Sequence, residues 1–347
     1  MADLRKSVLG LQPKRSGRKK FKLTMETFTF TVKAPKGPIL LCLHGGGYSG
    51  LTWALFAEEI LKVIHCQVKA IDFRGHGNTS TENDYDLSLE TLSKDVVDIA
   101  NNLSEKNANP IILMGHSMGG AVAVEAAYHI KSVLGLCVID VVEGTALDAL
   151  SSMQSILRGR PSHFKSLLHA IQWCYKGGQT HNLEAARVSM PGQVVNMKSG
   201  ELAANECDKI DLQNCGKPPL PKSQKTDDVF KTPNNSKPQD DGPQYTWRID
   251  LSKTEQFWTG WFKGLSQKFL NLRIPKLLLL ANIHGLDTTL TVGQMQGKFQ
   301  MQVLAKSGHA IHEDQPHNVS EIVSGYLVKQ KMAEPKSGYV HPNMPSC

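Results

Sequence analysis

Three places in this 347-residue chain hold the residue types that chemistry needs. The first is Ile111-Ile112-Leu113-Met114-Gly115-His116-Ser117-Met118-Gly119-Gly120-Ala121. A short apolar run enters a turn of small residues, and a helix-forming stretch follows at once. The glycines flanking Ser117 let the backbone turn sharply enough to lift the hydroxyl clear of a sheet. The amide of Met118 then points from a helix N-terminus toward a developing oxyanion. A bare G-x-S-x-G is common by chance; the strand before this one and the helix after it make it specific. The chemistry is attack by a serine on a carbonyl, with His116 packed beside the turn rather than acting as base.

The second place is Leu41-Cys42-Leu43-His44-Gly45-Gly46-Gly47, after the first clear strand. Glycines allow the backbone to approach a reacting carbonyl, so an amide at Gly46 or Gly47 could join Met118 as an oxyanion donor. Losing such a donor typically costs about 3 kcal/mol of transition-state stabilisation. The loop is not a dinucleotide fingerprint, since no G-x-G-x-x-G opens a helix there. The third place is Ser307-Gly308-His309-Ala310-Ile311-His312-Glu313-Asp314, after the last strand, where a triad histidine belongs. His309 is the base. His312 is its rival, but Glu313 and Asp314 beside it suggest a helix start on the surface. Two aspartates at strand ends compete as the acid, Asp140 and Asp287. General architecture favours Asp287, on the later strand.

The elements around these residues are legible as well. Ile39–Leu43, Gln67–Ile71, Ile111–Met114, Val133–Ile139, Lys276–Ala281 and Gln300–Leu304 read as strands. Each is continuously apolar rather than alternating, the mark of parallel strands buried on both faces. Helical patterns at Trp53–Val63, Ser88–Asn101 and Gly119–Ala127 lie between them. The alternation predicts a doubly wound α/β core with right-handed crossovers, and with the serine elbow the fold class is α/β-hydrolase: a mostly parallel central sheet with helices on both faces. Residues 1–36 read as a basic tail with a possible edge strand. Residues 37–143 and 272–332 form the core, and 333–347 a C-terminal tail. Residues 144–271 form an inserted helical cap, in which 198–244 read as a disordered loop rich in Lys, Asp, Asn, Pro and Ser. The aromatic segment Trp247, Phe257, Trp258, Trp261 and Phe262 belongs to cap core or to a roof over the site.

Composition excludes several classes. Apolar residues make up 40% and charged residues 20%, as in ordinary globular chains. Much of the net charge of +7 sits in the run Lys14–Lys20. With no aromatic residue interleaved, that run reads as a solvated tail or a nuclear address rather than a nucleic-acid surface. The seven cysteines have neither metal-ligand nor disulfide-framework spacing. No signal peptide or membrane-spanning stretch is apparent, so the expected location is cytoplasm, nucleus or both. Aspartate, not serine, would stand at the nucleophile position of a dehalogenase or epoxide hydrolase.

Taken as blocks, His44-Gly45-Gly46-Gly47, Gly115–Gly120, Ile139-Asp140-Val141-Val142-Glu143-Gly144-Thr145-Ala146, Gly293-Gln294-Met295-Gln296-Gly297-Lys298-Phe299-Gln300 and Gly308-His309-Ala310 resemble the protein phosphatase methylesterases. The resemblance runs from about Gly37 to the C-terminus. It implies removal of the methyl ester from the C-terminal leucine of the type-2A protein phosphatase catalytic subunit, through an acyl-enzyme and without metal or organic cofactor. It also implies docking on that phosphatase, with no nucleic-acid or membrane partner. The family's triad falls on Ser117, Asp140 and His309, which moves the acid from Asp287 to Asp140. His44, Trp258 and Trp261 are the candidate substrate contacts. The chain departs from the family at Ala281-Asn282-Ile283-His284-Gly285, in the composition of the cap loop, and in a short N-terminus whose edge strand is lost or replaced by Lys22–Val32. A small-molecule esterase or lipase would carry the same triad, and a hydrolase-fold binding protein would lack one member of it.

Overall fold

The computed structural model describes residues 28–32, 37–106, 109–214, 244–282 and 286–339. Seven strands form one sheet: β1 (Phe28–Val32), β2 (Ile39–Leu43), β3 (Gln67–Ile71), β4 (Ile111–His116), β5 (Val133–Ile139), β6 (Lys276–Leu280) and β7 (Gln300–Val303). Their spatial order is β1-β3-β2-β4-β5-β6-β7. All neighbours are parallel except β1, which pairs antiparallel with β3. The N-terminal edge strand is therefore present, within the replacement segment Lys22–Val32. The basic run Lys14–Lys20 lies outside the described residues.

Continuous apolar runs become two cores because successive side chains leave a strand on opposite faces. Ile39, Leu41, Leu43, Leu113, Leu136, Val138 and Leu278 pack on one side. There they meet helices α1 (Leu89–Lys106) and α2 (Met118–Ala127), which bring Leu92, Val96, Val122 and Ala126. Leu40, Cys42, Ile112, Met114, Ile139, Leu277 and Leu279 pack on the other, against Phe56 and Ile60 of the helix Ala54–Val63 and Val323 and Tyr326 of the helix Pro316–Lys329. Cys42 and Cys137 lie in these strands, both buried. Their packing gives the cysteines the part of small hydrophobes.

The strand order reverses between β2 and β4. The chain leaves β2 toward β3 on one side, then crosses to build β4 through β7 on the other. At such a switch point the loops leaving the two carboxyl ends diverge and open a crevice. Close approach sharpens it. A Cβ on Gly119 would stand 2.4 Å from the Leu43 carbonyl oxygen and 2.5 Å from that of His44, so only glycine lets α2 rest on the end of β2.

The insert between β5 and β6 is not purely helical. It holds an antiparallel three-stranded sheet made of His163–Phe164, Tyr245–Trp247 and Val194–Asn196. A small core of its own gathers Phe164, Ala170, Cys174, Ala186, Met190, Val194 and Ala203. The stretch 198–244, read as a disordered loop, needs correcting at its start: Ala203–Asn214 is a helix. Ala203 is buried there, Tyr245 donates to Glu206 at 2.7 Å, and Asn78 and Asn205 exchange side-chain hydrogen bonds at 2.8 and 3.2 Å. Polar composition hid a segment held by specific polar partners. Residues 215–243 lie outside the described residues. Trp258, Trp261 and Phe262, on the helix Glu255–Phe262, are part of the core beneath α1 and α2 rather than of a separate cap core. Among the described residues no helix is long and apolar enough to cross a membrane.

The seam between insert and body runs through the turn after β7. Asp314 Oδ1 accepts from Thr180 Oγ1 at 2.8 Å and from the His181 amide at 2.6 Å, while its Oδ2 accepts from the Gly308 amide at 2.6 Å. Glu313 is 1% exposed, and its Oε1 accepts from Thr52 Oγ1 at 2.5 Å. Thr52 in turn accepts from His312 Nε2 at 2.9 Å, and His312 stacks on Trp53 with ring centroids 4.3 Å apart. Neither His312 nor Glu313 is on the surface, where their neighbouring charges suggested; the apolar Trp53 face and the Thr52 hydroxyl draw both inward. Burial pushes the Glu313 carboxyl up to about 7 and holds His312 down to about 3.

Two predictions follow from this packing. Gly119→Ala should lose about 1–3 kcal/mol in urea denaturation, because two carbonyls must retreat from the new methyl group. Glu313→Gln isolates the buried carboxyl. The folded state binds the Glu313 proton more tightly than the unfolded state, so its contribution is complete below the usual carboxylate range and is lost as pH rises through about 7. Relative to the Gln variant, wild-type stability should fall by on the order of 3 kcal/mol between pH 4 and 8. A flat difference across that range would show the carboxyl is not neutral in the fold.

Candidate active site

The adjacent strands β4 and β5 end at the site, and the residues that follow them carry it together with His309 from the loop after β7. Ser117 follows β4 with φ 54° and ψ −123°, a conformation side chains rarely adopt. Its amide donates to the Ile139 carbonyl at 3.0 Å, so the ladder to β5 continues into the turn. Asp140 follows β5, also at positive φ (49°), and its amide donates to Leu279 of β6 at 2.8 Å. The Asp140 carboxylate thus stands beside the end of β6, where Oδ1 accepts from the Ala281 amide at 2.9 Å. Its other oxygen, Oδ2, accepts from His309 Nδ1 at 2.8 Å. With Nδ1 turned to this carboxylate, Nε2 is the ring nitrogen left facing outward. The His309 side chain is 52% exposed and that of Asp140 18%, so the acid lies beneath and the base faces outward. Among the described residues, no hydrogen bond joins Ser117 Oγ to His309.

Asp287 is elsewhere. It caps the helix Thr288–Met295, accepting from the Leu290 amide at 2.8 Å, and its second oxygen accepts from Ser266 Oγ at 2.5 Å. Both oxygens are committed to holding this helix to the Leu265–Asn271 segment. The general expectation from the later strand does not apply here.

His116 clamps the histidine loop from behind. Fully buried, it donates through Nε2 to the His309 carbonyl at 2.9 Å, and its ring lies 4.7 Å from those of His309 and His312. Burial holds its pKa well below the ordinary value, so the ring is neutral. Tyr48 meets it edge-on at 5.4 Å.

The glycine loop lies against the elbow. A Cβ on Gly45 would fall 3.2 Å from Ser117 Cβ, and one on Gly46 would fall 3.7 Å from Met118 Sδ. The amides of Gly46 and Met118 have no partner among the described residues. Gly47 must be removed from the candidate donors: its amide already donates to His76 Nε2 at 2.9 Å. His76 donates in turn through Nδ1 to the Arg74 carbonyl at 2.9 Å. His44 must be removed from the candidate substrate contacts. It is 0% exposed, Nδ1 donates to the Gly45 carbonyl at 2.7 Å, and Nε2 accepts from the Phe73 amide at 3.0 Å. Burial lowers it to about 4, so it is a neutral brace for the loop.

The two tryptophans are also not at the site. Trp258 donates to Thr254 Oγ1 at 3.0 Å and Trp261 to the Leu87 carbonyl at 2.6 Å, both in the core. What the insert does bring to the loop is Leu251, against Gly46 and Gly47, and Arg160, whose Nη1 would be 3.8 Å from a Cβ on Gly47. Leu251, Arg160, His76 and Asp314 belong to no motif, and nothing in their spacing pairs them with the loops they touch. Among the described residues no group of three His, Cys, Asp or Glu side chains could hold a metal ion.

The arrangement resembles known proteins at three levels. Residues 40–322 match the alpha/beta hydrolase family. The chain is 48% identical over 323 residues to protein phosphatase methylesterase 1 of Mus musculus, covering 90% of this chain and 82% of that one. The Homo sapiens protein of the same name gives the same identity and coverage. The Schizosaccharomyces pombe protein is 37% identical over 303 residues, covering 85% and 76%. Among solved structures, an esterase of M. tuberculosis superposes with a TM-score of 0.59 at 19% identity, covering 94% of this chain and 97% of that one. E-2-(acetamidomethylene)succinate hydrolase gives 0.60 at 15% identity, covering 84% and 92%. These distant likenesses establish the fold, and the closer ones the kind of ester hydrolase within it. The chain belongs to the protein phosphatase methylesterase family of α/β-hydrolases.

Proposed function

We propose that the chain hydrolyses the methyl ester on the C-terminal leucine of the type-2A protein phosphatase catalytic subunit, with Ser117 as nucleophile, His309 as base and Asp140 as the acid. The observation that carries the residue roles is the 2.8 Å bond from His309 Nδ1 to Asp140, formed beside the strained turn that lifts Ser117. Family membership supports the substrate, since the curated relatives are named for a phosphatase methyl ester.

The chemistry follows from the geometry. Neutral His309 presents Nε2 and takes the Ser117 proton as the hydroxyl oxygen attacks the ester carbonyl. Asp140 stabilises the resulting imidazolium and holds the ring's orientation. Charge on the tetrahedral oxygen falls to the Met118 and Gly46 amides. His309 returns its proton to the departing methoxide, so methanol leaves and an acyl-serine remains. Water, deprotonated by the same imidazole, then releases the carboxylate. The Asp140–His309 half of the triad is assembled, whereas Ser117 must turn its hydroxyl onto Nε2, a tightening common when a substrate enters.

Ser117→Ala should abolish methyl release from methylated phosphatase, read by mass spectrometry of the tail; retained release would remove Ser117 from the reaction. Asp140→Asn should lower kcat by about 10⁴-fold, as loss of the orienting carboxylate does in serine triads. Asp287→Asn should instead lower thermal stability and leave most of kcat. The reverse order of damage would transfer the acid role to Asp287. Turnover of small esters with none on methylated phosphatase would favour a small-molecule esterase.

A further inference from the structure

One cation beside the site has no counter-charge among the described residues. Arg160 follows the helix Glu143–Arg158 and is partly buried, with its guanidinium 5.3 Å over the Trp247 ring and its Nη1 against Gly47. Among the described residues it has no hydrogen-bond acceptor and no carboxylate partner. The other arginines withdrawn from solvent do have them. Arg74 forms a two-pronged pair with Asp95 at 2.7 and 2.8 Å, and Arg248 donates to the Gly77 and Thr79 carbonyls and to Asp84. Taking a guanidinium out of water without a partner is costly, and arginine stays charged in any protein environment. Trp247 supplies a face beneath the cation but leaves its N–H donors unused.

The position says what those donors face. Tyr48, close enough to Arg160 to feel its charge, lies edge-on to His116, the neighbour of Ser117. Along the glycine loop, the space a side chain would take at Gly45 is bounded by Ser117, at Gly46 by Met118 and at Gly47 by Arg160. Two residue steps span at most about 7 Å. The guanidinium thus lies beside the same short loop as Ser117, within reach of a neighbouring group of a substrate bound at the serine. Its planar fork suits a carboxylate.

We propose that Arg160 is a specificity residue that pairs with an acidic side chain of the substrate tail, within the few residues preceding the esterified one. The inference rests on the peptide methylesterase reading above and adds a charge requirement to it. The pair forms as the tail enters, supplying the missing partner of a cation that the fold keeps partly desolvated.

The test uses the full chain and synthetic peptides ending in leucine methyl ester, one series neutral and the others carrying a single Asp at each of the three preceding positions. The wild type should favour at least one Asp peptide over the neutral one by about tenfold in kcat/KM, and 0.5 M NaCl should shrink that preference. In Arg160→Met the ratio should collapse to near one, mainly through KM. Arg160→Lys should retain part of it, and Arg160→Glu should favour a Lys peptide instead. A merely structural role predicts a lower Tm for Arg160→Met with acidic and neutral peptides affected alike. That result, or a wild type indifferent to Asp at every position, overturns the proposal. Should Arg160→Met unfold, the salt dependence and the Lys and Glu variants decide. Turnover of p-nitrophenyl acetate with none of any peptide ester would sink the methylesterase reading and this inference with it. Peptide turnover without acid preference sinks this inference alone.

Discussion

The contact of α2 with the end of β2 is the constraint on which the site depends. Gly119 brings the helix to within touching distance of the Leu43 and His44 carbonyls, and no larger residue fits there. From that approach follows the closeness of the glycine loop to Ser117 and Met118, where a side chain at Gly45 would meet Ser117 and one at Gly46 would meet Met118. The helix dipole adds its positive end at this turn. A helix set farther back would leave Ser117 apart from the glycine loop.

Around this contact the fold keeps its histidines neutral. His44, His76, His116 and His312 are all buried, and burial lowers each of their pKa values. Each makes directional hydrogen bonds that brace a loop: His44 and His76 the glycine loop, His116 the carbonyl of His309, His312 the Thr52–Glu313 pair. A neutral imidazole suits this work because one nitrogen donates and the other accepts, so a single ring can join an amide to a carbonyl. His309 differs in having one exposed edge and a carboxylate behind it. Environment, not residue type, separates the half-exposed His309 from the buried braces.

The insert completes the site from the other side. Asp314 ties Thr180 and His181 to the Gly308 amide, one residue before the base, so the position of the insert and that of His309 are mechanically linked. Leu251 and Arg160 approach the glycine loop from the same insert.

Local pattern alone determined much of this protein. Apolar runs bounded by turns located six of the seven sheet strands, and the strand, turn and helix around Ser117 were legible because these signals are written in neighbouring residues. Position after the last strand singled out His309 as the candidate base, and the fold sets its ring beside Asp140. The edge strand Phe28–Val32 was only a possibility, since its pairing with β3 is settled across the sheet. Choosing Asp140 over Asp287 needed the family's motif, and the geometric reason is tertiary: β5 and β6 lie side by side, which aims Asp140 at His309 while Asp287 turns to cap a helix. His44, Gly47, Trp258 and Trp261 looked available for substrate because sequence shows residue type but not occupancy. Only the folded chain decides which donors are already spent, as Gly47 is on His76 and Trp261 on Leu87. By the same rule only the folded chain shows which are not, and Arg160 becomes conspicuous because no described residue pairs with it.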